Sequence, residues 1–276
     1  MGRVSLFCKK MTSKQTIDYL QDSLNKGNVV CLTGEGVSAE SGIPAFRDKG
    51  SLWEKYRPEI YATTMGLVST FETEPEEIMD FLSDFYPFLI KAKPNLTHIA
   101  LATMEREGIL KALITQNIDG LHQRAGSRSV IELRGNAYRV RCIRCLKTIT
   151  WERDRIEEMV KLLKMYRSSR MRLLKVLSRY FPRCECGGRF RIDIVLFGER
   201  ILEGELSQAH RVLEDCRLLL LIGTSLIVRT EAALPEYAKE RGATIVEISS
   251  EPTNPSYDLW IPGNAGKILS GISKTL

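Results

Sequence analysis

Four cysteines stand in two short-spaced pairs, Cys142-x-x-Cys145 and Cys184-x-Cys186-Gly187-Gly188. Thiolates paired in this way on two turns can close a tetrahedron around Zn²⁺. A closed four-sulfur shell leaves no position for a reacting molecule, so the spacing predicts a structural metal site on Cys142, Cys145, Cys184 and Cys186. The second pair is one residue tighter than the usual spacing. The other three cysteines, Cys8, Cys31 and Cys216, lie among apolar neighbours and read as buried thiols. A second cluster runs Gly34-Glu35-Gly36-Val37-Ser38-Ala39-Glu40-Ser41-Gly42. Glycines at such a turn let backbone amides approach a pyrophosphate, although Gly-x-Gly is also common in tight turns that bind nothing, and the run does not match the Gly-x-Gly-x-x-Gly of ordinary dehydrogenases. Asn117 and Asp119 can either hold a ligand's hydroxyls or cap their own loop.

The elements that must position these residues are short apolar runs. Val29-Val30-Cys31-Leu32 leads into Thr33-Gly34, Ala112-Leu113-Ile114 into Thr115-Gln116-Asn117, Leu218–Ile222 into Gly223-Thr224-Ser225, and Ile245-Val246-Glu247-Ile248 into Ser249-Ser250. Near-continuous aliphatic runs are strands buried on both faces, and their alternation with helical patterns predicts an α/β fold: a doubly wound, Rossmann-like parallel sheet with all four polar tips on one edge, where such sheets bind ligands. The alternation breaks between about 137 and 192, the stretch that holds both cysteine pairs. This divides the chain into a nucleotide-binding part, 14–136 with 193–275, and a small inserted zinc-binding module, 137–192.

Apolar residues make up 43% of the 276 residues, enough for a substantial core, and the net charge is +6. Eight cations and no acid fall between 161 and 183, so the rest of the chain is slightly acidic. Leu162, Leu163, Tyr166, Leu173, Leu174, Leu177 and Phe181 recur there at helical spacing, which predicts one or two amphipathic helices. Their cationic face reads first as a solvated surface and second as a contact for an acidic protein or nucleic acid. The longest aliphatic run is far short of a membrane span, and the apolar stretch Val4–Cys8 is too short for a secretory signal, so a soluble cytoplasmic protein is the expectation.

Longer motifs make the reading specific. Thr33 to Arg47 followed by Leu52-Trp53, then Thr115-Gln116-Asn117-Ile118-Asp119-Gly120-Leu121-His122, then Ile194 to Glu199, then Gly223-Thr224-Ser225-Leu226, resemble the sirtuin signatures and occur in that family's order. The resemblance implies an NAD-dependent protein lysine deacylase that moves the acyl group to ADP-ribose and releases nicotinamide. It implies that NAD meets Gly34, Glu35, Gly36, Ala45, Phe46, Arg47, Gln116, Asn117, Ile118, Asp119, Gly223, Thr224, Ser225, Ser249, Ser250, Glu251 and Ala265. It further implies that an acyl-lysine protein or peptide meets Val195, Phe197, Gly198, Glu199 and Val228. Asn117 and Asp119 also enter the catalytic set. His98 and His122 are implied to orient loops; His210 reads as exposed.

The sequence leaves the family at several places. Arg134, in Glu132-Leu133-Arg134-Gly135, stands where the family has its catalytic histidine. In the family's mechanism the acyl oxygen attacks C1′ of the nicotinamide ribose, nicotinamide leaves, and the histidine is the general base on a ribose hydroxyl. Arginine has no acceptor and a pKa above about 12. General-base catalysis is typically worth about 10²–10⁴-fold, so the second half of deacylation is expected to be impaired. The alternatives are an NAD glycohydrolase or ADP-ribosyltransferase variant and a non-catalytic NAD or ADP-ribose-binding module. Glu35 stands where the family usually has alanine; a carboxylate beside a pyrophosphate must turn outward or pair with a cation, for which Arg47 and Arg134 are the candidates. Ala45, Thr230 and Ser249 are further departures. Tyr86 is followed by Pro87, Phe88 and Leu89, without the arginine that marks sirtuins favouring acidic acyl groups, so neutral acyl chains are expected.

Overall fold

The computed structural model describes residues 13–44, 51–167, 169–226, 229–253 and 257–273. Ala45, Phe46, Arg47 and Val228 lie outside the described residues.

Six strands form one parallel sheet: β1 Val29–Thr33, β2 Leu110–Thr115, β3 Val130–Glu132, and, after three strands that belong elsewhere, β7 Leu218–Ile222, β8 Thr244–Ser249 and β9 Leu259–Pro262. Their order is β3-β2-β1-β7-β8-β9. The chain thus moves outward from β1 to β3, returns to the middle at β7, and moves outward again on the other side. The order reverses between β1 and β7, and the crevice at their carboxyl ends is where doubly wound sheets bind ligands. Both faces of the sheet are covered. Val29, Cys31, Leu218, Leu220 and Ile222 pack in one apolar cluster with Leu20, Leu24, Leu101 and Leu269 from helices Ser13–Asn25, Leu96–Arg106 and Ala265–Ser273. Val30, Leu32, Leu219 and Leu221 pack on the opposite face with Ala209, Leu213, Leu234 and Ala238 from helices Glu203–Glu214 and Arg229–Glu240. Alternate residues therefore serve opposite cores, which is why these strands carry aliphatic side chains at consecutive positions.

The remaining strands, β4 Gly135–Cys142, β5 Thr148–Thr150 and β6 Phe190–Ile194, form an antiparallel sheet in the order β5-β4-β6. Beside it stand helices Arg153–Met165 and Arg170–Tyr180, which together span most of the basic stretch. Their apolar stripe, Ile156, Leu163, Leu173, Val176 and Tyr180, is buried against β4 and against helix Pro75–Lys91. Arg179 pairs with Glu158 at 2.9 Å and Arg167 with Asp80, while Arg172 rests over Tyr166. The basic stretch is the outer face of a packed helix pair. Helices between Leu52 and Lys91 share this second core, since Tyr56, Tyr61, Met79, Phe81 and Tyr86 cluster with Val140, Trp151 and Met159. No helix among the described residues is long and apolar enough to cross a membrane.

Candidate active site and metal centre

The polar tips of β1, β2, β7 and β8 emerge on one edge of the sheet, as expected from their parallel pairing. At the reversal point the loops after β1 and β7 are in backbone contact. Gly34 N–H donates to Ile222 O at 3.2 Å and Gly36 N–H to Gly223 O at 2.9 Å. A Cβ at Gly34 would fall 2.8 Å from Gln116 Oε1 and from Gly223 O. The glycines are thus required for the approach of one loop to the other. The Gly34 and Gly36 amides, expected at the pyrophosphate, donate here to the last residue of β7 and to the glycine that follows it. The helix that follows, Gly36–Ala39, is a single turn.

Below this contact lies a chain of buried side-chain hydrogen bonds. Ser38 Oγ donates to Asp119 Oδ2 at 2.6 Å, and Leu121 N–H donates to Asp119 Oδ1 at 2.8 Å. Asn117 Nδ2 donates to Gly34 O at 2.9 Å and to Ser38 Oγ at 3.0 Å. Burial pushes the Asp119 carboxyl above its ordinary value, against the opposing effect of its bonds from Ser38 and Leu121. Gln116 Oε1 accepts from Thr224 Oγ1 at 2.8 Å, tying the tips of β2 and β7 together. Thr33 Oγ1 donates to Thr115 Oγ1 at 2.9 Å and sits 3.0 Å from His122 Nε2. The His122 and His98 rings lie 4.7 Å apart, both buried, and His98 Nδ1 caps the backbone at Asn95. His98 is thus bonded to Asn95, at the start of its own helix, and His122 to the end of β1. His210 is half-buried with its ring 4.5 Å from that of Tyr237, not fully exposed.

On the β8 side, Ser249 Oγ lies 2.9 Å from Glu247 Oε1 and 2.6 Å from Glu251 O, and accepts from Trp260 Nε1 at 3.1 Å. Thr253 bridges Glu247 Oε1 and Thr224 O, so the β7 and β8 tips are also joined. Glu247 and Thr253 carry this corner, and neither stood out in the sequence. Ser225 and Ser250 are in the loops after β7 and β8, and Ala265 opens the helix that follows β9.

Arg134 occupies the turn between β3 and β4, and that turn is held from several directions. Its backbone carbonyl accepts from Val195 N–H at 2.9 Å. Gly135 has φ +75°, and a Cβ there would lie 2.0 Å from Asp193 O, so only glycine fits. Before the turn, Glu132 Oε1 accepts from Gln123 at 2.7 Å and from Asn136 at 2.5 Å, while Oε2 pairs with Arg139 at 2.9 Å. Arg139 also bonds Asp193, which receives Arg141 Nε at 2.6 Å. This buried four-charge network ties the end of the parallel sheet to the antiparallel one. The Arg134 guanidinium donates from Nε to Glu231 Oε1 at 2.8 Å, with 19% of the arginine side chain and 1% of the glutamate side chain exposed. Its carbon lies 5.6 Å from the centroid of the Phe197 ring. Of the two cations named for Glu35, Arg134 instead pairs with Glu231, at the start of helix Arg229–Glu240. Arg47, the other expected cation, lies outside the described residues. Glu35 holds the N-cap position of the single turn that begins at Gly36, and its side chain makes no cap bond there.

The segment Val195–Glu199 runs beside this arginine. Phe197 N–H donates to Ala62 O at 2.8 Å, Gly198 has φ +85°, and Glu199 accepts from Thr64 Oγ1 at 2.5 Å, from Arg191 Nη1 at 2.6 Å and from Leu196 N–H at 3.0 Å. Those bonds draw Glu199 below the ordinary carboxylate range despite its burial. Ile118 accepts from Ala137 N–H at 2.8 Å and packs toward the second core.

The four cysteine sulfurs lie within 4.8 Å of one another, with Cys142 to Cys186 at 3.5 Å and Cys145 to Cys184 at 3.6 Å. A tetrahedron with Zn–S bonds of about 2.3 Å has edges near 3.8 Å, so the tetrad fits the ion. Backbone N–H groups of Arg144 and Gly188 approach Cys142 Sγ and Cys186 Sγ at 3.5 Å, the donors that thiolate ligands need. Cys31 and Cys216 are buried thiols, as expected; Cys8 lies outside the described residues.

Comparison with known proteins agrees with this arrangement. Residues 34–230 match the Sir2 family. The chain is 41% identical over 244 residues to the NAD-dependent protein deacylase of Pyrococcus furiosus, covering 87% of this chain and 89% of that protein. It is 39% identical over 249 residues to NAD-dependent protein deacylase 2 of Archaeoglobus fulgidus, covering 89% of each. Among solved structures, a Sir2 homolog–NAD complex superposes with TM-score 0.74 at 35% identity, covering 94% of this chain and 93% of that one. A Sir2–p53 peptide–NAD⁺ complex superposes with TM-score 0.73 at 31% identity, covering 94% and 98%. With the sheet order, the crevice at its reversal point and the cysteine tetrad all in place, the extent of these matches makes the chain a member of the Sir2 family.

Proposed function

We propose that the chain is an NAD-dependent protein lysine deacylase of the Sir2 type, with zinc as a structural ion and NAD as co-substrate. The observation that carries the reading is the buried Ser38–Asp119–Asn117 network at the β1/β2 edge, joined through Gln116 and Thr224 to the tip of β7. Such a network holds donors and acceptors rigidly beside a ligand, and rigid placement is what a reaction limited by positioning requires. NAD supplies an electrophilic ribose carbon with nicotinamide as its leaving group.

Residues are assigned as follows. Gly34, Glu35, Gly36, Ala45, Phe46 and Arg47, with Gly223, Thr224 and Ser225, take the pyrophosphate side of the crevice. Ser249, Ser250, Glu251 and Ala265 take the adenosine side. Gln116, Asn117, Ile118 and Asp119 take the nicotinamide side, where Asn117 and Asp119 orient the reacting ribose. Val195, Phe197, Gly198, Glu199 and Val228 line the acyl-lysine groove. In this division residues 14–136 and 193–275 do the chemistry, and 137–192 supports it. The acyl-lysine of a protein or peptide is the substrate, and neutral acyl chains are favoured, because Tyr86 is fully buried and donates to Ala137 O at 3.1 Å. The cationic face of 161–183 is given no partner, since two of its arginines are paired within the chain. Buried thiols and a thiolate tetrad suit a reducing compartment such as the cytoplasm.

One observation favours a second reading, NAD cleavage or ADP-ribosyl transfer without deacylation: the group at the base position is a guanidinium that cannot accept a proton. Incubation with NAD and an acetyl-lysine peptide separates the two. Nicotinamide together with deacetylated peptide supports the first reading, and nicotinamide with intact peptide the second. Absence of nicotinamide refutes both and leaves a binding module.

A further inference from the structure

The Arg134–Glu231 pair contains two unmatched halves. The guanidinium has five N–H donors, of which Nε–H bonds Glu231 Oε1; its Nη edge meets no acceptor among the described residues, and the side chain remains partly open. Glu231 is 1% exposed, and its second oxygen, Oε2, is buried without a hydrogen-bond partner among the described residues. Buried polar atoms in native proteins are almost always satisfied, so an orphan acceptor beside an unmatched donor edge calls for a molecule that completes both. Charge narrows the choice. Arginine and glutamate cancel, so an anion drawn to the guanidinium meets the adjoining carboxylate, and a cation drawn to the carboxylate meets the guanidinium. The complement is a neutral group that accepts and donates within a few ångströms. The Phe197 ring under the guanidinium and the Arg134 O···Val195 N–H bond put the pair beside the 195–199 segment.

We infer that Arg134 and Glu231 together form a subsite for a neutral hydrogen-bonding group of the substrate, the Nη edge donating to its oxygen and Glu231 Oε2 accepting its N–H or O–H. The inference rests on the reading of the chain as an enzyme of acyl-lysine and NAD. Two parts of those substrates have this chemistry, the N-acyl amide of the modified lysine and the vicinal hydroxyls of a ribose. Glu231 is then specificity-determining as well as a partner for Arg134: it makes the arginine a selector of neutral groups instead of an anion trap.

The test is Glu231→Gln. The amide oxygen can keep the bond to Arg134 Nε while the amide nitrogen turns the orphan acceptor into a donor, so a purely structural role for Glu231 survives and the subsite does not. Binding of an acetyl-lysine peptide, a succinyl-lysine peptide and ADP-ribose is measured by calorimetry on wild type, Glu231→Gln, and an Arg134→Leu/Glu231→Leu double variant that removes the pair without leaving a lone charge. A loss of at least about tenfold for the acetyl peptide, with ADP-ribose unchanged, supports the inference and identifies the amide. The same loss for ADP-ribose, with the peptide unchanged, supports it and identifies the ribose. The double variant should match the loss, and thermal melts report whether each variant is folded. If wild type binds the ligands and both folded variants bind them equally well, the inference is wrong while the proposed function stands. Tighter binding of the succinyl peptide than of the acetyl peptide by wild type also overturns it, in favour of an anion site. If wild type binds none of the three, the proposed function itself fails, and the inference with it.

Discussion

Arg134 and Glu231 are 97 residues apart in sequence, yet Nε and Oε1 lie 2.8 Å apart with the glutamate out of solvent. A buried pair is worth little against an apolar replacement, but removing one partner strands the other. Arg134→Ala should therefore lower stability by about 3–5 kcal/mol, discounted for the partial exposure of the arginine, whereas Arg134→Leu/Glu231→Leu should recover most of the loss. Urea denaturation of the two variants checks this; equal stability of both single and double variants would show that the pair contributes nothing.

The same pair governs any attempt to install a base. An imidazole at position 134 faces the Glu231 carboxylate, which favours the imidazolium and raises the folded-state pKa above the ordinary value of about 6.5. The proton-accepting form is then present only above that raised pKa. Deacetylation by Arg134→His should rise with pH and lag at pH 7. With NAD and peptide both saturating, so that weaker binding does not enter the rate, adding Glu231→Gln should move the rising limb to lower pH and increase the rate at pH 7 by roughly tenfold for each pKa unit removed. Peptide deacetylation across pH 6–9 measures it, and superimposable profiles for the single and double variants would count against Glu231.

One zinc ion per chain should be found in the reduced protein, and chelation should loosen the antiparallel sheet before the parallel one, because metal binding and folding of such a module are coupled. Gly188 gives a subtler test. A Cβ there would stand 2.7 Å from Cys142 Sγ, so Gly188→Ala should weaken zinc retention under a chelator challenge while leaving the parallel sheet intact. Unaltered retention would place the ion elsewhere.

Burial holds His98 at a pKa of about 4 and His122 at about 3, the latter helped by its neighbour. Both are neutral in the folded protein and protonate more readily when unfolded, near pH 6.5. Their contribution to stability is thus complete above about pH 6.5 and declines as the pH falls toward 4 and below. Thermal melting between pH 8 and 4 should show this decline, and it should be smaller in His98→Gln. A melting temperature that is flat down to pH 4 would show that the two rings do not govern acid stability.

Much of the molecule is legible from the residues alone. Leu218–Ile222 and Val29–Leu32 are aliphatic at consecutive positions because each residue faces one of two cores, and that pattern is local. The cysteine tetrad is equally local, since two tight pairs on turns can converge with little help from the rest of the fold. The strands β3 and β9 left no such trace, being three and four residues long, too short for a period to register. The packing of helices 52–91 onto the second core also depended on contacts distant in sequence. The sequence determined that position 134 carries a permanent cation in place of a proton acceptor. Only the tertiary structure decided its partner. Glu231 reads as one acid in the first turn of an ordinary helix. It meets Arg134 because the sheet order returns the chain to the middle at β7, and the first turn of the helix that follows β7 comes within hydrogen-bond reach of the turn after β3. Ion pairs of this kind depend on where two backbones end in space, and nothing in the spacing of either residue announces the other.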